Sequence, residues 1–265
     1  MKFTNILAAF ALVASGTANA TIVTAQDDFN TAASGWKDGW TIFMPTDGKA
    51  APASIANGAL VFTGNHNNAA VRTLAQTMVS DIFVSFTVQY DGASLEGNDF
   101  LGLWFGNSKS TASLADTDHT KGPSIGLKAN CGDTNVNTSC TTDLFVRTSG
   151  SAGPFLPGSN LQKGRSYEVS GHLYKSNDKA GSSYDRFEAW FKDMETKQVS
   201  SVFKTTGATG LSAVDTLGFR SANIDKNLVV SIDSLRVSEV PEPGSLALMG
   251  LALAGFAAAR RRQRG

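Results

Sequence analysis

Several things are scarce in this chain of 265 residues. Cysteine occurs twice, histidine three times and tyrosine four times. Two thiols are too few for a cysteine-only zinc site, and no two histidines stand at metal-ligand spacing. There is no excess of charge, since 23 basic residues balance 23 acidic ones. Setting aside Lys2, Arg260, Arg261, Arg262, Arg264 and Glu242 at the two ends leaves 18 basic residues against 22 acidic. A slightly acidic body of this kind lacks the basic face that a nucleic-acid partner requires. No long 3.6-residue periodicity runs between Thr21 and Val240, no Gly-x-Ser-x-Gly elbow is present, and no glycine-rich loop precedes a helix. Regular Thr-x-Thr ladders of the kind an ice-binding face needs are missing too.

The two ends carry addresses. Lys2, the apolar run Ile6–Val13 and the small-x-small triplet Ala18-Asn19-Ala20 make a secretory signal peptide over residues 1–20, with a short apolar helix and cleavage after Ala20. At the other end Pro241-Glu242-Pro243 precedes fifteen uncharged residues, Ser245–Ala259, and then a basic cluster of Arg260, Arg261, Arg262 and Arg264. As a helix those fifteen residues would rise roughly 22 Å, short of a hydrocarbon core of about 30 Å. The segment is thus a marginal transmembrane helix that suits a transient span better than a permanent anchor, with the arginines on the cytoplasmic side.

This order of Pro-Glu-Pro, apolar stretch and arginines resembles the PEP-CTERM sorting signal, here residues 239–265. The resemblance implies export from a Gram-negative bacterium and an exosortase-type processing enzyme as partner. It also implies an inner-membrane precursor and delivery to the cell surface or extracellular matrix.

The body between the signals, residues 21–238, has period two. Ile82, Val84, Phe86, Val88 and Tyr90 alternate with Phe83, Ser85, Thr87 and Gln89, the mark of a strand with one buried face. Further strands are expected at Ala59–Thr63, Phe100–Gly106, Ser124–Ala129, Asp143–Thr148, Ser166–Tyr174, Arg186–Asp193, Val199–Thr205, Thr216–Ser221 and Leu228–Val237, with one helical turn near Leu211–Val214. About ten strands with no βα alternation give an all-β, antiparallel two-sheet sandwich. Cys131 and Cys140, an even pair in an exported chain, are expected to form a disulfide across a polar loop.

The opening Asp27-Asp28-Phe29 and the closing Ile232-Asp233-Ser234-Leu235-Arg236-Val237 resemble the first and last strands of concanavalin A-like, laminin G-like jelly rolls. That resemblance implies terminal strands lying side by side and a ligand groove on one sheet. It also implies a structural Ca²⁺ held by Asp27, Asp28 and Asp233, with Asp116 and Asp118 as a second acidic option.

Candidate chemistry is sparse. Jelly-roll glucanases carry Glu-x-Asp-x-x-Glu on one strand; here only Asp185 and Glu188 occur, three apart and so on opposite faces. His172 and Tyr174 share a strand face, and Trp190 shares one with Glu188, so these four residues form a possible ligand face where an exposed indole could stack on a sugar. Trp36, Trp40 and Trp104 are expected to pack in the core or at its edges, and His66 and His119 lie in polar loops. No catalytic residue is assigned. The chain reads as an exported, non-enzymatic protein that binds exopolysaccharide, with a polysaccharide hydrolase or lyase as the alternative.

Overall fold

The structure is a computed structural model that describes residues 22–29, 40–43, 53–64, 69–97, 99–108, 122–131, 140–150, 155–156, 158–177, 179, 181–224 and 227–240. Residues 1–20 of the N-terminal signal, residues 241–265 of the C-terminal one, Trp36, His66, Asp116, Asp118 and His119 lie outside them. Residues Thr21–Val240 form one compact unit.

Among its described residues are fourteen strands: β1 (Ile22–Asp27), β2 (Trp40–Phe43), β3 (Ser54–Ala56), β4 (Ala59–Thr63), β5 (Ala69–Met78), β6 (Asp81–Gly92) and β7 (Phe100–Gly106). There follow β8 (Ser124–Asn130), β9 (Thr141–Arg147), β10 (Ser166–Tyr174), β11 (Arg186–Asp193), β12 (Phe203–Thr206), β13 (Val214–Ala222) and β14 (Leu228–Val240). They form two antiparallel sheets. The first runs β12-β11-β10-β6-β14-β4-β3, with β1 also paired to β14, and the second runs β2-β5-β13-β7-β8-β9. The chain changes sheet between β1 and β2, β2 and β3, β4 and β5, β5 and β6, β6 and β7, β9 and β10, β12 and β13, and β13 and β14, which is the winding of a jelly roll.

Alternation sets which side chains meet in the middle. Ile82, Val84, Phe86 and Val88 of β6 and Val169 and Leu173 of β10 face Leu101, Leu103 and Phe105 of β7 and Leu217 and Phe219 of β13, all buried. Edge-to-face rings link the sheets: Phe86 meets Phe219 at 5.2 Å and Phe105 meets Phe187 at 5.9 Å. Such pairs add about 1 kcal/mol each beyond the area they bury. Gly171 of β10 also points into this core, where a Cβ would meet Phe187, Ile125 and Val84 at 2.9–3.2 Å.

The terminal strands do pair, with Ile22 opposite Glu239 and Asp27 opposite Leu235. The first strand nevertheless differs from the expectation. It ends at Asp27, and Phe29 turns out of it with a positive φ of 50°. That conformation is costly for a bulky residue, so something must hold it. The Asp27 carboxylate accepts the Phe29 N–H at 2.9 Å, and the ring is buried beside Trp40, centroid to centroid 6.0 Å. A second departure lies in β14, where register shifts between Asp233 and Arg236 and Ser234 takes φ 53°. This bulge keeps Ile232 and Leu235 both buried across an odd spacing.

Candidate functional site

The four residues of the expected ligand face come together on the outer side of the first sheet. His172 stands directly opposite Phe83 of β6 on one side and Glu188 of β11 on the other, and Glu188 stands opposite Lys204 of β12. Direct cross-strand partners point to the same face, so these side chains form one row. The His172 ring lies flat on Phe83, with centroids 4.1 Å apart and planes 8° from parallel, and Tyr174 stacks on its other neighbour side at 4.5 Å and 21°. Three rings thus make a continuous strip. Phe83 is 37% exposed, an apolar ring at a position whose strand neighbours Ser85, Thr87 and Gln89 are polar. That break in the alternation was the sequence signal for this missed member of the face.

Polar groups fix the strip. His172 Nε2 is 3.0 Å from Asp81 Oδ2. The Tyr174 hydroxyl donates to Glu188 Oε1 at 2.9 Å, and the Lys204 ammonium reaches the same oxygen at 2.7 Å. Burial pushes the Glu188 carboxyl up, but Lys204 and the Tyr174 hydroxyl outweigh it and hold the group below its usual range. Burial, and then the Glu188 charge, push the Tyr174 phenol up. Both groups are therefore fixed in their ordinary ionisation states at neutral pH, with a carboxylate that accepts and a phenol that donates.

The next row runs from Trp190 of β11 across Ser170 of β10 and Ser85 of β6 to Arg236 of β14. Trp190 is half-buried and Arg236 is exposed. In this row two short serines stand between two long side chains.

Two of the three aspartates expected to hold Ca²⁺, Asp27 and Asp233, are differently employed. Asp27 Oδ1 accepts from Phe29, Oδ2 accepts from Trp40 Nε1 at 2.8 Å, and Arg72 lies 3.5 Å from the same oxygen. A carboxylate already filled by two donors and facing a guanidinium does not fit a cation site. Asp233 accepts its neighbour's N–H at the bulge. Among the described residues no three His, Cys, Asp or Glu side chains gather as metal ligands. Cys131 and Cys140 are joined as a disulfide.

Of the tryptophans expected to pack, Trp40 lies in the main core. Trp104 lies instead on the outer side of the second sheet, in a separate buried cluster with Phe100, Phe145 and Ala222. Alternation explains the difference, because Leu101, Leu103 and Phe105 of the same strand take the inward positions.

Comparison with known proteins supports both halves of the sequence reading. Residues 239–262 match the PEP-CTERM protein-sorting motif, the signal of an exported protein processed at the membrane. No curated protein matches the chain. Among solved structures the fold is that of the concanavalin A-like lectin jelly rolls. A Lotus tetragonolobus seed lectin aligns with a TM-score of 0.54 at 9% identity over 83% of this chain and 100% of its own. The CBM2 module of an evolved Dit from Lactobacillus casei BL23 phage J-1 gives 0.53 at 12% identity, covering 83% and 96%. The exoplasmic/lumenal domain of VIP36, in a Ca²⁺/Man3GlcNAc-bound form, gives 0.51 at 12% identity, covering 78% and 88%. In the described part of the chain no helix is long and apolar enough to cross a membrane.

Proposed function

We propose that this is a sorted, non-enzymatic glycan-binding protein, which reads sugar with the outer face of its first sheet after delivery to the cell surface or matrix. The observation that carries the reading is the stacked ring strip of exposed Phe83 and half-buried His172 and Tyr174, beside half-buried Trp190. Flat aromatic faces pack against the C–H faces of pyranose rings, and Phe83 is the ring of this strip that stands exposed. Glu188, Asp81, Ser170 and Ser85 supply acceptors and donors for hydroxyls around it. The lectin and carbohydrate-binding neighbours share the scaffold, which is consistent with this use. An exopolysaccharide is the natural ligand for a protein sent to the matrix.

The alternative, a hydrolase, is disfavoured by the same geometry. A glycosidase needs one carboxyl that stays protonated near neutral pH and a second one about 5 Å or more away. Glu188 is held ionised by Lys204, and the residues on it are a phenol and an ammonium. The test is a glycan array probed with the full chain, followed by titration of the best neutral glycan. Trp190→Ala and His172→Ala should each weaken binding about tenfold. Unchanged affinity in both variants would place the site elsewhere.

A further inference from the structure

The row next to the ring strip is longer than its first four members. Arg236 of β14 stands opposite Ser85 of β6 on one side and opposite Gln26 of β1 on the other. Trp190, Ser170, Ser85, Arg236 and Gln26 are thus successive cross-strand partners on five neighbouring strands, β11, β10, β6, β14 and β1. The burial pattern fixes their direction. Ser170, Ser85 and Arg236 each lie between two buried neighbours, and Gln26 and Trp190 each follow a buried alanine, so all five point outward. At a strand spacing of about 4.8 Å, the steps from Trp190 to Gln26 cover roughly 19 Å.

Two features set this row apart. The first is that its polar groups are unspent. Among the described residues, nothing hydrogen-bonds to, pairs with or stacks on these five side chains. The ring row beside it is joined to itself, through His172 and Asp81, Tyr174 and Glu188, and Lys204 and Glu188. On the other side, Glu168 and Asp233 share a row with Thr87, and neither forms an ion pair with Arg236. The unspent groups are an indole N–H, two hydroxyls, a guanidinium and an amide, so every strand offers a donor, and the serines and Gln26 also accept. The second feature is that the row has unlike ends. Past Trp190 the chain runs along β11 from Val199, which bridges Lys192, to Phe203, opposite Ala189. Val199 and Val202 in that segment are 61% and 51% exposed. The row therefore starts at an indole with exposed valines on the neighbouring segment, and finishes at a guanidinium and an amide.

We propose that this row is the long axis of the glycan site, and that it takes an internal stretch of an extended polysaccharide, about four sugars laid across the strands, rather than one terminal sugar. Given that this face reads glycan, the row specifies which kind. Each pyranose of an extended chain advances roughly one strand spacing, so its hydroxyls meet a new polar group at every strand. The apolar end packs on the C–H face of one sugar, and Arg236 and Gln26 bond the hydroxyls of the far ones. Contacts to exposed groups are individually weak, but contacts made by one linked chain share a single cost in lost freedom. A lone sugar reaches only part of the row and forgoes the rest.

The test titrates the full chain calorimetrically with size-graded oligosaccharides, from monosaccharide to hexasaccharide, cut from glucan, mannan, galactan and polyuronate chains. The expected result, in a series that binds, is an affinity that climbs about a hundredfold from the monosaccharide to the tetrasaccharide and is then flat. Arg236→Ala and Gln26→Ala remove exposed groups and leave the core alone. Each should weaken the hexasaccharide about tenfold and bring the plateau to shorter chains. Ser170→Tyr sets a ring in the middle of the row and should weaken the hexasaccharide far more than the monosaccharide. An affinity that is the same for monosaccharide and hexasaccharide, or full hexasaccharide affinity in all three variants, overturns the proposal while leaving glycan binding by the face intact. Absence of binding in every series overturns both. Thermal unfolding of each variant with and without hexasaccharide separates lost binding from lost folding, since a folded binder gains stability with ligand and a folded non-binder does not.

Discussion

Acidic residues in this protein act as organisers of backbone. Asp143 gathers four donors from β8, β9 and the segment after it, tying Asn130, Thr141, Ser159 and Asn160 to one carboxylate. Replacing it by alanine leaves the Asn160 amide without its acceptor and the buried Ser159 hydroxyl with the Leu156 carbonyl alone. Hydrogen bonds to a charged group are each worth about 1.5–3 kcal/mol, so Asp143→Ala should lower the unfolding free energy by about 3 kcal/mol, and Asp143→Asn by less. Urea unfolding midpoints measure both. Asp193 closes the turn after β11, accepting from the backbone of Glu195 and Thr196 at 2.8 and 2.9 Å and from Arg165 at 3.1 Å. Those backbone donors, Thr196 first, and then Arg165 hold its carboxyl below the usual range. Folding therefore favours the charged form. Its contribution is complete above the unfolded-state value near pH 4 and is lost as pH falls through the lower folded value. Acid unfolding followed by circular dichroism should show a shallower slope below about pH 4 in Asp193→Asn than in the parent chain.

Among the strands, legibility followed burial on a single face. β6, β10 and β11 alternate cleanly, and their bounds in the sequence and the structure agree to within two residues. β5 was missed because its ten residues mix Ala, Arg, Thr and Gln, with outward positions that carry no apolar rhythm. β2 and β3 were missed because three or four residues at a sheet edge hold too little pattern to see. The strand expected from Val199 begins at Phe203, since Val199 makes only an isolated bridge to Lys192 while Val199 and Val202 stay exposed. Leu211–Val214 forms no helical turn; Leu211 is simply buried after a bend. The ring strip was legible on β10 and β11, where parity placed His172, Tyr174, Glu188 and Trp190. The partners on β6 and β12 depended on strand order, which no local pattern encodes. The same sheet order brings β7 and β8 close at Gly102 and Gly126, where a Cβ on Gly126 would lie 2.2 Å from the Leu101 carbonyl oxygen. Gly126→Ala must push two central strands apart and should cost about 2–3 kcal/mol. Gly150→Ala meets nothing within 4 Å and carries only the strain of φ 83°, about 1 kcal/mol. Equal losses in the two variants would show that β7 and β8 are not crowded there.

For the whole molecule, the folded body and the sorting signal overlap by two residues. The matched motif begins at residue 239, whereas β14 runs to Val240. Glu239 serves the fold: it lies opposite Ile22 of β1 and Ile82 of β6, and its carboxylate accepts the N–H groups of Val79 and Ser80 at 2.7 and 2.8 Å, closing the turn between β5 and β6. Pro241-Glu242-Pro243 follows at once, with no spacer between the last strand and the motif. The first two residues of the matched motif are therefore paired in a sheet. Two variants separate the roles. Glu239→Ala should speed amide hydrogen exchange at Val79 and Ser80 about tenfold, the loss of roughly 1.5 kcal/mol, while leaving β7, β8 and β9 unchanged and the motif readable. Replacing Pro241, Glu242 and Pro243 by alanine should leave exchange throughout Thr21–Val240 as it was and abolish processing in an expressing cell that holds the enzyme. If Glu239→Ala instead blocked processing as fully as the triple replacement, the enzyme would be reading the strand end itself, and the folded sheet would be part of the signal.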